Sequence, residues 1–219
     1  MSVVQPSIVS VRTEPPPDRL GAVCDALAAA LEYPRGRTAV AAREAARGLD
    51  DAAAAAALAA SLAELARFVE EARDGEPEER YASLFDLKPV ATLHCGYHIL
   101  GDTYDRGNLL ALLVGELARR GVPWDHDLPD FLPTLLRLLG ALPPGEERAL
   151  LLYPVILPGL AGINAALSKA SGPYPHVLAA LDAWLRQIVP SCGVDIDLRH
   201  ARADPVAGGP ICGGSPCSM

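Results

Sequence analysis

A chain of 219 residues with 27 acidic and 19 basic side chains has a net charge of -8 and no basic stripe. It therefore lacks the electrostatic footprint for nucleic acid and the polybasic patch for an anionic bilayer surface. Half of the residues are hydrophobic but only 5% are aromatic, and Ala and Leu, the strongest apolar helix formers, carry most of the apolar content. The expected fold is all-α, with enough apolar material for one sizeable core.

No run approaches the roughly 18 consecutive apolar residues of a membrane-spanning helix. The N-terminus, MSVVQPSIVSVRTEPPPD, lacks the charged start and apolar stretch of a signal peptide, so the expected compartment is the cytoplasm. Five cysteines at irregular spacing (Cys24, Cys95, Cys192, Cys212 and Cys217) point to reduced thiols and not to a disulfide framework.

Residues 1–17 read as a loose arm ending in Pro15-Pro16-Pro17. From Asp18 the pattern is helical: Leu20, Val23, Cys24, Leu27 and Leu31 recur at helical spacing until Pro34 and Gly36. A weakly apolar helix is expected over about 37–47. Another over about 51–73 carries the stripe Leu58, Leu62, Leu65, Phe68 and Val69. A short helix over 78–85 presents Tyr81, Leu84 and Phe85 on one side. Residues 86–101, interrupted by Pro89, Gly96 and Gly101, have no clear reading.

Asp102 reads as the N-cap of the next helix, with Asp105 as reciprocal acid. That helix ends at Arg119-Arg120 before Gly121, which suits the helix dipole and a left-handed cap. Asp127 reads as the start of a further helix with the apolar face Leu132, Leu135, Leu136 and Leu139. A long helix over about 145–169 contains Pro154 and Pro158, where kinks are expected. The last begins near Pro175 and ends before Pro190. The expected architecture is one bundle of about eight to nine helices over 18–190, followed by a disordered Cys/Gly/Pro-containing tail over 191–219.

Four polar side chains, His94, His98, Asp102 and Arg106, fall at four-residue intervals. On one continuous helix they line a single face, giving a polar groove or, through the two His and the Asp, a metal site. Alternatively Gly96 and Gly101 break that helix, and Asp102 only caps the next one. Arg106 either grips a carboxylate or carbonyl of a partner or pairs with Asp102 or Asp105 on the surface. In Asp127-Leu128-Pro129-Asp130-Phe131-Leu132-Pro133, capping accounts for Asp127 and Pro129. It accounts less well for the acid at Asp130 and for Phe131, which reads as exposed. Cys192, Cys212 and Cys217 with His200 match no zinc spacing. The chain has no GxSxG, P-loop, GxGxxG or paired CxxC, so no enzyme class is indicated.

Three motifs in order carry a resemblance: Tyr81-x-x-x-Phe85-Asp86, Gly101-Asp102-x-x-x-Arg106-Gly107, and Leu128-Pro129-Asp130-Phe131-Leu132-Pro133. They resemble the NarJ group of the NarJ/TorD/DmsD family of redox-enzyme maturation chaperones, over roughly residues 78–188. The first 75 residues agree only in helical character. The resemblance implies an all-helical, cytoplasmic, non-enzymatic protein with no cofactor of its own, either a monomer or a weak dimer. Such a protein binds the apo catalytic subunit of a molybdenum-containing, nitrate reductase-like oxidoreductase, commonly through that subunit's N-terminal segment. It holds the subunit until the molybdopterin cofactor is inserted, before membrane attachment or export.

Carried onto this chain, the motifs and their neighbourhood give an expected client-binding set of Tyr81, Phe85, Asp86, His98, Asp102, Arg106, Asp127, Leu128, Pro129, Asp130, Phe131 and Pro133. Apolar contacts supply affinity, and Asp86, Asp102, Asp127 and Asp130 attract a basic client segment. His94, Cys95 and His98 depart from the family pattern, as does the cysteine-bearing tail. The alternative is a helical metal-binding protein or enzyme using His94, His98 and Asp102. Some relatives bind guanine nucleotides, but no phosphate-cradling loop is present here.

Overall fold

The apolar stripe that begins at Leu20 folds as α1 (Pro17–Leu31) in the computed structural model, which describes residues 17–50, 52–86, 89–124 and 127–188. Leu20, Val23, Cys24, Leu27 and Leu31 are all buried along it, as a 3.6-residue period requires. Then come α2 (Thr38–Gly48), α3 (Ala53–Glu71), α4 (Glu76–Phe85), α5 (Cys95–Leu100), α6 (Tyr104–Arg120), α7 (Leu132–Ala141), α8 (Glu146–Lys169) and α9 (Pro173–Ile188). The fold is all-α with nine helices among the described residues, as expected. The only strand-like pairing among them is a single antiparallel bridge, His94 with Phe131. Residues 1–16 of the arm and the tail cysteines, with His200, lie outside the described residues.

The helices pack in a ring, α7–α1–α2–α3–α9–α8, which closes where α8 meets α7; α5 lies against α8. Glycine sets two of the crossings. Gly140 of α7 abuts Gly21 of α1, where an added Cβ would sit 3.0 Å from the Gly21 Cα and the Cys24 Cβ. On α8, a Cβ at Gly159 would sit 2.7 Å from the Cys95 Cα, and one at Gly162 would sit 2.7 Å from the His98 Cβ. Real Cβ contacts are not that close, so α5 reaches α8 because those positions are bare.

Two expectations at helix ends are corrected. Thr103, not Asp102, caps α6: its Oγ1 accepts the Arg106 N–H, and its hydroxyl donates to the Leu100 carbonyl. α7 starts at Leu132 and not at Asp127, because residues 128–131 close a turn with the Phe131 N–H donating to the Leu128 carbonyl. Pro129 suits the second position of that turn. The unassigned stretch 86–101 contains α5, a six-residue helix too short to show a period.

Of the two prolines at which α8 is expected to kink, Pro154 sits in a local departure from α-helical geometry. Around Pro154 the helix widens into one π-turn, Leu152–Ile156, in which the Leu157 N–H reaches back to the Leu152 carbonyl. A wider turn absorbs the bond that proline cannot make. α8 is also the one described helix long and apolar enough to cross a bilayer by length and composition. Its apolar residues are interspersed with small and polar ones and form no unbroken run of that length. Half of that stretch is buried inside the fold, including Leu152, Val155, Ile156, Leu160 and Ile163, so here α8 is a core helix.

At the other end of α7, Arg148 is 0% exposed. Its guanidinium donates to the carbonyls of Leu142 (2.7 Å) and Leu139 (3.3 Å). Helix C-terminal carbonyls have no partner within the helix, and a buried cation answers both that need and the negative end of the dipole.

Candidate functional site

A cleft of about 660 Å³ opens where five segments meet. The loop after α1 contributes Glu32, Tyr33 and Arg35; the end of α4 contributes Tyr81, Phe85 and Asp86. The extended stretch before α5 adds Thr92, Leu93 and His94. The loop after α6 adds Pro123, Trp124 and Asp127, and the start of α7 adds Phe131, Thr134 and Arg137.

Aromatic packing forms the inner wall. The Tyr81 ring meets Phe85 at 5.0 Å and both Tyr33 and Tyr174 at 5.6 Å, all edge-to-face, the arrangement ring quadrupoles favour. The Tyr81 hydroxyl donates to the Leu31 carbonyl at 3.1 Å, closing the C-terminus of α1. Burial pushes its phenol well above the usual tyrosine range, and the nearby carboxylates of Asp127, Glu32 and Asp86 add to the shift. Tyr81 is therefore a fixed, neutral wall.

The structure brings Tyr81, Phe85, Asp86, Asp127 and Phe131 of the expected set to this cleft. Phe131 is buried in its wall, not exposed as the sequence suggested. Asp102, exposed before α6, and His98, Arg106, Leu128, Pro129, Asp130 and Pro133 do not line the cleft.

The largest correction is Asp130. Its side chain is 0% exposed, and its carboxylate takes Arg106 through two bonds, Nε to Oδ2 at 2.9 Å and Nη2 to Oδ1 at 3.3 Å. Arg106 thus pairs with neither Asp102 nor Asp105, and Asp130 presents no charge to a partner. The pair holds the turn before α7 against α5 and α6, joined by the Cys95 N–H to the Asp130 carbonyl and the Leu132 N–H to the Leu93 carbonyl, each 2.8 Å.

Nor do His94, His98 and Asp102 form a metal set. His94 sits in extended backbone before α5, and Gly101, at φ +67°, separates α5 from Asp102. Thr92 engages both imidazoles instead. Its hydroxyl shares a 2.6 Å hydrogen bond with His94 Nδ1, and its carbonyl accepts His98 Nε2–H at 2.8 Å. No group of three His, Cys, Asp or Glu side chains among the described residues lies close enough to hold a metal ion. Burial lowers the His94 pKa. Burial also pushes the Cys24 thiol up to about 12 and raises Cys95 similarly, which keeps both thiols protonated and unreactive.

Sequence reasoning missed Glu32, Tyr33, Arg35, Trp124 and Arg137. Tyr33 and Trp124 are 40% and 37% exposed, and large apolar side chains left in a concave surface are the signal that would have found them.

Against known proteins, the nitrate reductase delta subunit model matches residues 51–174, more than half of the chain. The chain belongs to the nitrate reductase delta subunit family. The match begins just before α3, upstream of the stretch where the motifs carried the resemblance, and includes the cleft residues from Tyr81 to Arg137.

Among similar proteins, the nitrate reductase molybdenum cofactor assembly chaperone NarJ of Escherichia coli (strain K12) is 30% identical over 100 residues. That stretch covers 45% of this chain and 42% of NarJ. The probable nitrate reductase molybdenum cofactor assembly chaperone NarW of the same strain is 27% identical over 107 residues, 48% of this chain and 46% of NarW. The chain thus matches less than half the length of either relative. Both names are those of assembly chaperones and not of enzymes.

Proposed function

We propose that this family member is a cytoplasmic, non-enzymatic assembly chaperone. It binds the apo catalytic subunit of a molybdenum-containing, nitrate reductase-like oxidoreductase and supports insertion of the molybdopterin cofactor before membrane attachment or export. The cleft carries this reading. It lies largely within the family-matched stretch, is wide enough for a short peptide segment, and combines exposed aromatic surface with the exposed carboxylates Asp86 and Asp127. Such a surface suits an amphipathic, basic segment of a client, its N-terminal segment being the first candidate.

The test is to tag the protein in its own host under anaerobic respiratory growth and identify co-purifying chains by mass spectrometry. The expected partner is a molybdoenzyme catalytic subunit in cofactor-free form. Recovery of no specific chain, with stoichiometric metal in protein purified without a His-tag, would overturn the reading. Light scattering on the same sample tests the expected monomer or weak dimer.

A further inference from the structure

The charges around the cleft are unequally satisfied. Of its three acids, Glu32 is already held by Arg137 at 2.6 Å. Asp86 and Asp127 are exposed and have no ion-pair partner among the described residues. All three line the same cleft as Tyr81 and act electrostatically on its phenol, so the Asp86 and Asp127 carboxylates lie beside the aromatic wall. Two further rings, Tyr33 and Trp124, stand half-exposed in the same cleft. Aromatic faces beside unpaired carboxylates attract a cation, and a guanidinium suits both: it is planar, weakly hydrated, stacks on rings and bonds carboxylates through two N–H groups.

The protein itself shows that one ring takes such a group. The Arg35 guanidinium lies over the Tyr33 ring, 5.9 Å from its centroid, and has no carboxylate partner among the described residues. Glu32, Tyr33 and Arg35 fall before residue 51, where the family match begins. This wall is therefore the part of the cleft that the family match does not describe.

Resting on the function proposed above, we propose that the cleft receives one arginine side chain of the client between the Tyr33 and Trp124 rings and the Asp86 and Asp127 carboxylates, and that Arg35 covers the Tyr33 face until the client displaces it. Arg35 then acts as an internal competitor. It keeps the aromatic surface covered in the free chaperone and sets a threshold that weakly basic segments do not pass.

The test uses blocked, overlapping peptides tiling the co-purified catalytic subunit, titrated calorimetrically into the full-length protein. In the tightest-binding peptide each arginine is replaced in turn by citrulline, which keeps the shape and removes the charge. One replacement is expected to weaken binding about tenfold. In the Asp86→Asn/Asp127→Asn variant the same replacement should matter less than about twofold, and Arg35→Ala should tighten the parent peptide about twofold to threefold. All three positions are exposed, and an unchanged circular dichroism melt confirms that each variant folds. Peptides that do not bind, that ignore charge, or that lose as much in the double variant overturn the inference. If the wild-type protein still captures the whole apo subunit, the proposed function stands without it; if that capture also fails, both fall.

Discussion

Asp130 and Arg106 form a two-bond ion pair, 2.9 and 3.3 Å, with the aspartate side chain 0% and the arginine 12% exposed. The Arg106 guanidinium also lies over the Tyr97 ring, 5.6 Å from its centroid. Removing one partner of a buried pair leaves the other charge uncompensated, at a cost of about 3–5 kcal/mol. Asp130→Ala and Arg106→Ala should each lose stability on that scale in urea denaturation. The double variant should lose less than the sum of the two. Arg106→Lys should restore little, since an ammonium cannot reproduce the fork. Any loss of client binding in these variants has to be read beside their melting curves, because the pair builds the site's support and not its surface.

Gly96 explains why that pair can form. A Cβ there would sit 2.6 Å from Asp130 Oδ2 and 3.2 Å from the Leu109 side chain. Gly96→Ala should cost about 1–3 kcal/mol through displacement of the carboxylate, against the gain in helix propensity that alanine brings elsewhere. Gly115→Ala is the control, since a Cβ there meets nothing within 4 Å; it should be neutral or stabilising in the same melts.

These two residues also show where the sequence was legible and where it was not. The stripes of α1 and α3 and the Gly121 stop of α6 announced themselves, since each depends on neighbours within about one helical turn. Gly121 does adopt φ +64° and closes the end of α6 as expected. Asp130 and Gly96 depend on each other across 34 residues of chain, and local spacing carries no trace of that contact. The same four-residue spacing suggested a polar face through His94, His98, Asp102 and Arg106, but the break at Gly101 divides it. In the cleft, the motif residues Tyr81, Phe85, Asp86 and Phe131 were legible, as was Asp127 beside the third motif. Tyr33 and Trp124 were missed because they stand alone in loops, with no periodic pattern around them.

Arg148 offers a prediction independent of the cleft. Replacing it with Met keeps much of the apolar stem but leaves the Leu139 and Leu142 carbonyls without their buried donor. An unsatisfied buried group costs about 1–3 kcal/mol, so Arg148→Met should lower the urea midpoint by an amount on that scale. Amide exchange should quicken most in the last turn of α7, where the capped carbonyls lie.

His94 gives the fold a pH dependence of known sign. Burial is the main cause that lowers its pKa from the ordinary value of 6.5, opposed by Asp130 and Asp127. As pH falls through 6.5 the unfolded chain takes up this proton before the folded chain does, so folding stability falls. The loss ends below the folded-state pKa, where both forms are protonated. Melting temperatures between pH 7.5 and 5.5, chosen to span about one unit on each side of the ordinary value, should decline less steeply in His94→Gln than in the wild type. Equal slopes would mean that His94 titrates alike in both states.

Trp124 makes binding directly observable. The chain has two tryptophans: Trp184 is buried in α9 at 3% exposure, while Trp124 stands in the cleft at 37%. A client segment seated there replaces water around the Trp124 indole with apolar and peptide groups, which shifts its emission to shorter wavelength. Trp184, already enclosed, contributes a constant background. Adding the apo catalytic subunit's binding peptide, itself free of tryptophan, should therefore blue-shift the wild-type spectrum and leave Trp124→Leu unshifted. The same variant should bind more weakly, because truncating an aromatic anchor at the centre of an interface typically costs about 2 kcal/mol or more. A blue shift that survives in Trp124→Leu would place the segment elsewhere on the molecule. The exposed aromatic residues Tyr97 and Tyr104, outside the cleft, would then be the surface to substitute next.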